Sequence, residues 1–311
     1  MNRRLAASAA ALVVLLAGCG GYDPTVVPEP AASSAAPADP PDCENDGSQL
    51  RSFEPTGDVT QLPGVEAIRK RGRLVAGVAA DVFLLSSRDP QNPQRLQGFD
   101  IDMVNAIAAK IFGTSQDKVT FRVITAAERI PLLQSGEIDI VARNMTITCD
   151  RWEQIAFSQV YFDAGQGVLT GVGSGIDSVA DLAGRRVCAS AGTTSIANIQ
   201  EIAPEAIPVS APDNSTCMVR FQNGEADAVT GDDTVLAGLA AQDPYSRVLP
   251  IDPLSDEPYG IGVSAENRDL VELVNRTLED LRRDGGWEES YDRWFAEVLG
   301  PATQPEPVYG R

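Results

Sequence analysis

Gly72-Arg73-Leu74-Val75-Ala76-Gly77-Val78 reads as a short buried strand, because its last five residues are consecutive, apolar and small or branched. The next seventy residues make it the first strand of a layered fold. Over residues 100–112, Ile101, Val104, Ile107, Ala108 and Ile111 recur at helical spacing and give a helix one apolar face. Residues 119–124 then read as a strand, 127–134 as a helix and 138–142 as a strand. A β-α-β-α-β order predicts a mostly parallel sheet covered by helices, since parallel neighbours need a crossover long enough to hold a helix.

The pattern recurs once. Residues 186–188, 207–209 and 228–229 read as strands, and 194–201, 217–222 and 234–241 as the helices between and after them. Ile261-Gly262-Val263 and two helices, at 269–283 and 287–299, close the chain. Two similar α/β units, with the last part returning to the first, predict a bilobed protein with a cleft between its lobes.

Both ends differ from this body. Arg3 and Arg4 precede an apolar stretch that ends Leu16-Ala17-Gly18-Cys19. Fourteen such residues cover only ~21 Å of helix against a ~30 Å hydrocarbon core, so residues 1–18 read as a cleaved secretory leader rather than a membrane span. The spacing resembles a bacterial lipobox, which makes Cys19 the first mature residue and the site of lipidation at the outer face of the membrane. Residues 19–42 are rich in Pro, Ala and Ser, with too little apolar surface to fold, and suit a spacer. Residues 301–311 are again Pro-rich and are expected to be a flexible tail.

Composition removes several functions. The chain has no histidine, which excludes Ser-His-Asp and Cys-His catalysis and His-rich zinc sites. Loss of Arg3 and Arg4 with the leader takes the formal charge from −19 to −21, a field unsuited to nucleic acid. Beyond Cys19 there are four cysteines, Cys43, Cys149, Cys188 and Cys217, an even number for an oxidising compartment. Three pairings are possible. Proximity favours Cys188 with Cys217, which leaves Cys43 for Cys149. No C-x-x-C spacing supports a metal, and neither metal nor cofactor is expected.

Ordered motifs then carry a resemblance. Gly98-Phe99-Asp100-Ile101-Asp102, Ser135-Gly136-Glu137-Ile138-Asp139, Asn144-Met145-Thr146-Ile147-Thr148 with Arg151, Phe157-Ser158 with Tyr161, Gly192-Thr193-Thr194-Ser195, the stretch 224–233 and Pro258-Tyr259-Gly260-Ile261-Gly262 succeed one another in this order. Over residues 72–299 the chain resembles the extracellular solute-binding proteins of family 3, the polar amino-acid-binding proteins of ABC importers. Within that family it is most similar to actinobacterial lipoproteins of the GlnH type. The resemblance implies a periplasmic-binding-protein-like fold of type II. Lobe 1 would comprise residues 43–163 and 256–300 and lobe 2 residues 164–255, with a two-segment hinge near 161–165 and 251–258. It also implies a monomer that binds free glutamate, glutamine, aspartate or asparagine and presents its closed form to an ABC permease or to a transmembrane receptor. An enzyme on the same scaffold needs a catalytic carboxylate, often in an added domain, and is not expected.

Site residues come from the same match. A free amino acid presents one carboxylate and one ammonium, and an arginine fork suits the former. Arg151 occupies the family's carboxylate-binding position, with Thr146 adding its hydroxyl and amide. Alone, Arg151 also suits a surface ion pair with Asp150 or Glu153. Thr194 opens a helix whose free amides favour an anion, and the same amides suit an ordinary cap. Asp232 is placed at the ligand ammonium, Asp233 at the cap of the next helix, and the Asn144 carbonyl as a second ammonium acceptor. For the ligand side chain the candidates are Asp81, Phe83, Arg88 and Arg143; an arginine facing the pocket favours acidic ligands over amides.

Overall fold

The computed structural model describes residues 45–311. Helix α1 (Pro63–Arg71) starts on a proline and stops at Gly72, whose φ of 84° only glycine adopts freely. Strand β1 (Leu74–Val78) leads into a small antiparallel sheet of β2 (Asp81–Val82), β3 (Ser86–Arg88) and β4 (Leu96–Gln97). Helix α2 (Phe99–Phe112), β5 (Val119–Val123), α3 (Arg129–Gln134), β6 (Ile140–Val141) and the single turn α4 (Cys149–Trp152) complete the first unit. The 16-residue strand β7 (Ala156–Gly171) carries the chain out of it. The second unit holds β8 (Arg186–Ser190), α5 (Thr194–Ile202), β9 (Ile207–Ala211), α6 (Asn214–Gln222), β10 (Ala228–Asp232), α7 (Asp233–Ala240) and β11 (Ser246–Val248). Strand β12 (Asp256–Val263) returns, followed by α8 (Arg268–Asp284), α9 (Gly286–Trp294) and α10 (Ala296–Leu299).

The strands lie in the order β5-β1-β6-β12-β7-β10-β8-β9, with β11 on β7. β1 is parallel to β5 and β6, and β8 is parallel to β9 and β10. The two parallel blocks are those expected from the repeated β-α-β pattern. The strands between them are antiparallel: β7 pairs with β12 and then with β10. The sheet is therefore mixed rather than mostly parallel, because each strand that crosses between the units must travel against the other.

An aromatic cluster ties the chain's return to its start. Phe99 of α2 lies 6.1 Å from Tyr161 of β7, 5.6 Å from Trp287 and 5.7 Å from Phe295, ring centre to ring centre. Trp287 stacks on Tyr291 at 5.1 Å, and its indole N–H donates to the Tyr161 carbonyl at 2.7 Å. Such contacts contribute about 0.5–1.5 kcal/mol each beyond area burial. The cluster also explains a departure from the expected helix over 287–299. Phe295 leaves helical geometry (φ −121°) to seat its fully buried ring, and this separates α9 from α10.

A disulfide joins Cys188 in β8 to Cys217 in α6, with Cα atoms 5.5 Å apart, the pairing that proximity favours. Cys149 is disulfide-bonded as well; Cys19 and Cys43 lie outside the described residues. No helix among the described residues is long and apolar enough to cross a membrane.

The tail expectation is corrected. Residues 301–311 run back over the body as a docked strap. Gln304 is buried and donates to the Leu278 carbonyl at 3.0 Å, and the Tyr309 hydroxyl donates to Glu279 at 2.8 Å. Tyr309 bridges to Ser52, and the Arg311 guanidinium sits 3.8 Å over the Trp152 ring. Proline content carries no information on the surface that receives the segment. Removal of residues 301–311 is expected to lower unfolding free energy by about 1–3 kcal/mol, read by chemical denaturation. An unchanged midpoint would return the segment to the status of a loose tail.

Candidate functional site

Residues 143–151 leave β6 and turn into α4 along β12. Met145 and Ile147 are buried apolar anchors, and backbone bonds from Ile147 N to the Pro258 carbonyl (2.8 Å) and from Gly260 N to the Met145 carbonyl (3.0 Å) hold Thr146 beside β12. Thr148 caps α4 by accepting from the Arg151 amide at 3.4 Å. That single turn folds Arg151 back, so its guanidinium donates to the Thr146 carbonyl at 2.5 Å and to the Gly192 carbonyl at 3.4 Å. Neither Asp150 nor Glu153 forms an ion pair with it.

Gly192 comes from the other unit, in the loop before α5. Its φ is 75°, and a Cβ there would lie 2.7 Å from the Ala127 Cα, so the two units touch at a point where only glycine fits. The Thr194 hydroxyl donates to Glu257 Oε2 at 2.6 Å, and the Thr146 hydroxyl donates to the same oxygen at 2.6 Å. Asn198 Nδ2 (2.9 Å) and the Ser255 hydroxyl (2.7 Å) donate to Glu257 Oε1. Thr146, Thr194, Asn198, Ser255 and Glu257 line a cavity of about 890 Å³.

Asp232 ends β10, buried at the N-cap position of α7 without capping it through its side chain. It accepts from the Tyr259 hydroxyl at 2.6 Å and from Asn144 Nδ2 at 3.4 Å. Burial, then the neighbouring Glu257 charge, push its carboxyl up to about 7. Asp233 is not the expected cap: it is the first residue of α7, one place after the N-cap position held by Asp232, and its side chain accepts the adjacent Thr234 amide at 2.6 Å. The Asn144 carbonyl is already used: it accepts from Arg129 Nη1 at 3.1 Å. Asn144 holds φ at 36°, a left-handed conformation that asparagine tolerates, and its backbone N–H donates to Asp100 at 3.2 Å.

Arg129 is the residue that sequence reasoning missed. It is buried, and its guanidinium donates only to carbonyls: Ala126 (2.9 Å), Arg143 and Asn144 (both 3.1 Å) and Gly192 (2.8 Å). Burial, then Arg151 and Arg143, lower its proton affinity. The available signal was its position on α3 one turn before buried Leu133, a charge on an apolar face. Glu257 and Asn198 were also missed, and both sit at unremarkable places in strand and helix.

The side-chain candidates gather elsewhere. Asp81, Arg88 and Arg143 line a second cavity of about 550 Å³ together with Glu128 and Asp213. Arg143 is buried and donates from Nε to the Ile124 carbonyl at 2.9 Å, whereas Arg88 is exposed and donates to the Pro93 carbonyl at 2.9 Å. Asp81 Oδ2 is buried with no hydrogen-bond partner among the described residues. Phe83 packs partly buried against the core. Among the described residues, none of Arg129, Arg143, Arg151, Asp232 and Glu257 is in an ion pair, and no cluster of His, Cys, Asp and Glu suits a metal ion.

The raised Asp232 carboxyl makes stability depend on pH. Its folded pKa, about 7, lies above the ordinary 3.8, so the folded state holds the proton more tightly and loses stability as pH rises from about 4 through 7. Asp232→Asn is therefore expected to exceed the wild type at pH 8 by on the order of 2–4 kcal/mol without ligand, with the difference vanishing near pH 4. Denaturant midpoints across this range provide the check, and a pH-independent difference would contradict the assignment.

Comparison with known proteins places these features in company. The family model of bacterial extracellular solute-binding proteins, family 3, matches residues 74–297. The ABC transporter glutamine-binding protein GlnH of Bacillus subtilis strain 168 is 38% identical over 232 residues, 74% of this chain and 84% of that protein. The glutamate-binding protein GluB of Corynebacterium efficiens is 28% identical over 258 residues, covering 80% and 86%. A solved ancestral arginine-binding protein bound to glutamine superposes with a TM-score of 0.66 at 35% identity, covering 72% of this chain and 98% of its own.

Proposed function

Because the chain belongs to the bacterial extracellular solute-binding proteins of family 3, we propose that it captures a polar amino acid outside the cytoplasm and delivers it to an ABC importer. Its fold is the bilobed α/β type II periplasmic-binding-protein fold. The ligand class is glutamate, glutamine, aspartate or asparagine, in keeping with the glutamine and glutamate named for its relatives. Binding occurs without chemical conversion of the ligand.

One observation carries this reading. Arg151 is half-buried and Asp232 buried, they are groups of opposite charge on the two α/β units, and neither has an ion-pair partner among the described residues. A zwitterion supplies both partners at once. Arg151 takes the α-carboxylate, exchanging two neutral carbonyl acceptors for a charge-assisted fork, and the backbone amides at the start of α5 by Thr194 add to it. Asp232, held by Tyr259 and Asn144, takes the ammonium. Asp81, Arg88 and Arg143 line a separate cavity and are given no part in holding the ligand side chain.

Residues 43–163 with 256–300, and residues 164–255, act as the two lobes. β7 and β12 cross between them, and the ligand draws the lobes together because it touches both. Cys19 carries the lipid that holds this monomeric carrier to the membrane.

Thermal unfolding of the full chain against each of the twenty amino acids at about 1 mM tests the reading. A ligand with Kd near about 1 μM adds about 4 kcal/mol, a shift of several degrees. Shifts confined to Glu, Gln, Asp or Asn and abolished in Arg151→Ala are expected. No shift with any amino acid would overturn it.

A further inference from the structure

Glu257 has a role that neither the family match nor the site assignment supplies. Its carboxylate is 1% exposed and receives four donors: the Thr146 and Thr194 hydroxyls on Oε2, and Asn198 Nδ2 and the Ser255 hydroxyl on Oε1. An ionised carboxylate offers about four lone-pair sites and no proton. Glu257 is thus saturated, and it does not meet a ligand directly. What it does is consume protons. A threonine hydroxyl has one proton and two lone pairs. With both protons directed to Oε2, the Thr146 and Thr194 oxygens are left as acceptors.

The two Oγ1 atoms, one from each unit, lie 3.5 Å apart, a span that a single ammonium group bridges. We propose that Glu257 is a positioning residue: it locks the Thr146 and Thr194 hydroxyl protons inward, so that both oxygens present lone pairs to the ligand's ammonium group and not protons to its carboxylate. This rests on the amino-acid reading above and reverses the expected part of the two hydroxyls. They select for the amine, and recognition of the carboxylate is left to Arg151 and backbone amides. A ligand lacking the amine meets only acceptors there.

The test separates polarity from packing. Binding of L-glutamine and L-glutamate, and of their deaminated counterparts glutaramate and glutarate, is measured by calorimetry and by displacement for the full chain and for Glu257→Gln. The glutamine side chain keeps the shape but donates N–H to one threonine oxygen. The amino acids are expected to weaken about tenfold or more, and the deaminated acids by less than about twofold. Equal weakening of both classes, or no weakening of the amino acids, overturns the proposal. Should Glu257→Gln fail to fold, Thr194→Val and Thr194→Ser replace it. The valine variant is expected to lose amino-acid affinity selectively and the serine variant to retain it; a valine variant that weakens both ligand classes alike overturns the proposal. A wild-type chain that binds none of the four probes removes the amino-acid reading itself, whereas wild-type binding with parallel losses removes only the part given to Glu257.

Discussion

β7 pairs with β12 from Ala156 to Gly165 and, without a break in the strand, with β10 from Gln166 to Thr170. This continuous antiparallel ribbon is the element on which the rest depends. It carries the parallel block of β5, β1 and β6 on one side and that of β10, β8 and β9 on the other. The site residues inherit their positions from it. Thr146 bridges to Tyr259 of β12, Glu257 and Tyr259 project from that strand, and Asp232 ends the strand that β7 pairs next. A strand pairs only with a neighbour in register, so a shift of one residue would turn Glu257 and Tyr259 away from the cleft together.

Charge burial is the second constraint, and it works against the fold. Asp100 accepts from the Tyr161 hydroxyl and the Asn144 amide, yet burial still pushes its carboxyl up to about 6. Asp232 is pushed further, and burial lowers the proton affinity of Arg129, Arg143 and Arg151. Buried charges without opposite partners are costly, and a structure selected for stability alone would replace them. Here Arg129, Arg151 and Asp232 lie where the two units meet, whereas Arg143 lines the second cavity. The cost is understandable where a charged ligand completes the set, because its binding then relieves desolvation that the protein has already undergone.

Legibility followed the physics of each feature. The parallel blocks were readable because β1, α2 and the repeated units bury one face at a fixed period. The crossing strands were harder: β7 mixes Phe157, Ser158, Gln159 and Gln166 in a strand buried along most of its length, so no alternation marks it. Several of its buried polar side chains find partners remote in sequence, as the Gln159 Nε2 does in the Asn275 carbonyl at 3.0 Å. The same limit applies to the site. Asn144, Thr146, Arg151, Thr194 and Asp232 stood in a recognisable order, and the structure gathers them. Asp81 and Arg88 face a different cavity. Arg129 and Glu257 act through contacts spanning 63 and 111 residues, which no local pattern encodes.

The contacts that join the units across the cleft are also informative in kind. Arg129 and Arg151 donate to the Gly192 carbonyl, Ser215 donates weakly to the Asp81 carbonyl at 3.4 Å, and Gly238 approaches Phe83 so closely that a Cβ would lie 2.6 Å from its carbonyl oxygen. The polar contacts are to neutral carbonyl acceptors and bare backbone, beside apolar packing in which Val82 and Leu84 share one cluster with Val235, Leu236 and Leu239. Hydrogen bonds of this kind contribute about 0.5–3 kcal/mol each. In the proposed carrier these contacts help set the equilibrium between open and closed forms. A ligand shifts such an equilibrium only by its differential affinity for the two forms. In the proposed binding mode the charges of Arg151 and Asp232 generate that difference, since a molecule bound to either alone satisfies just one of them.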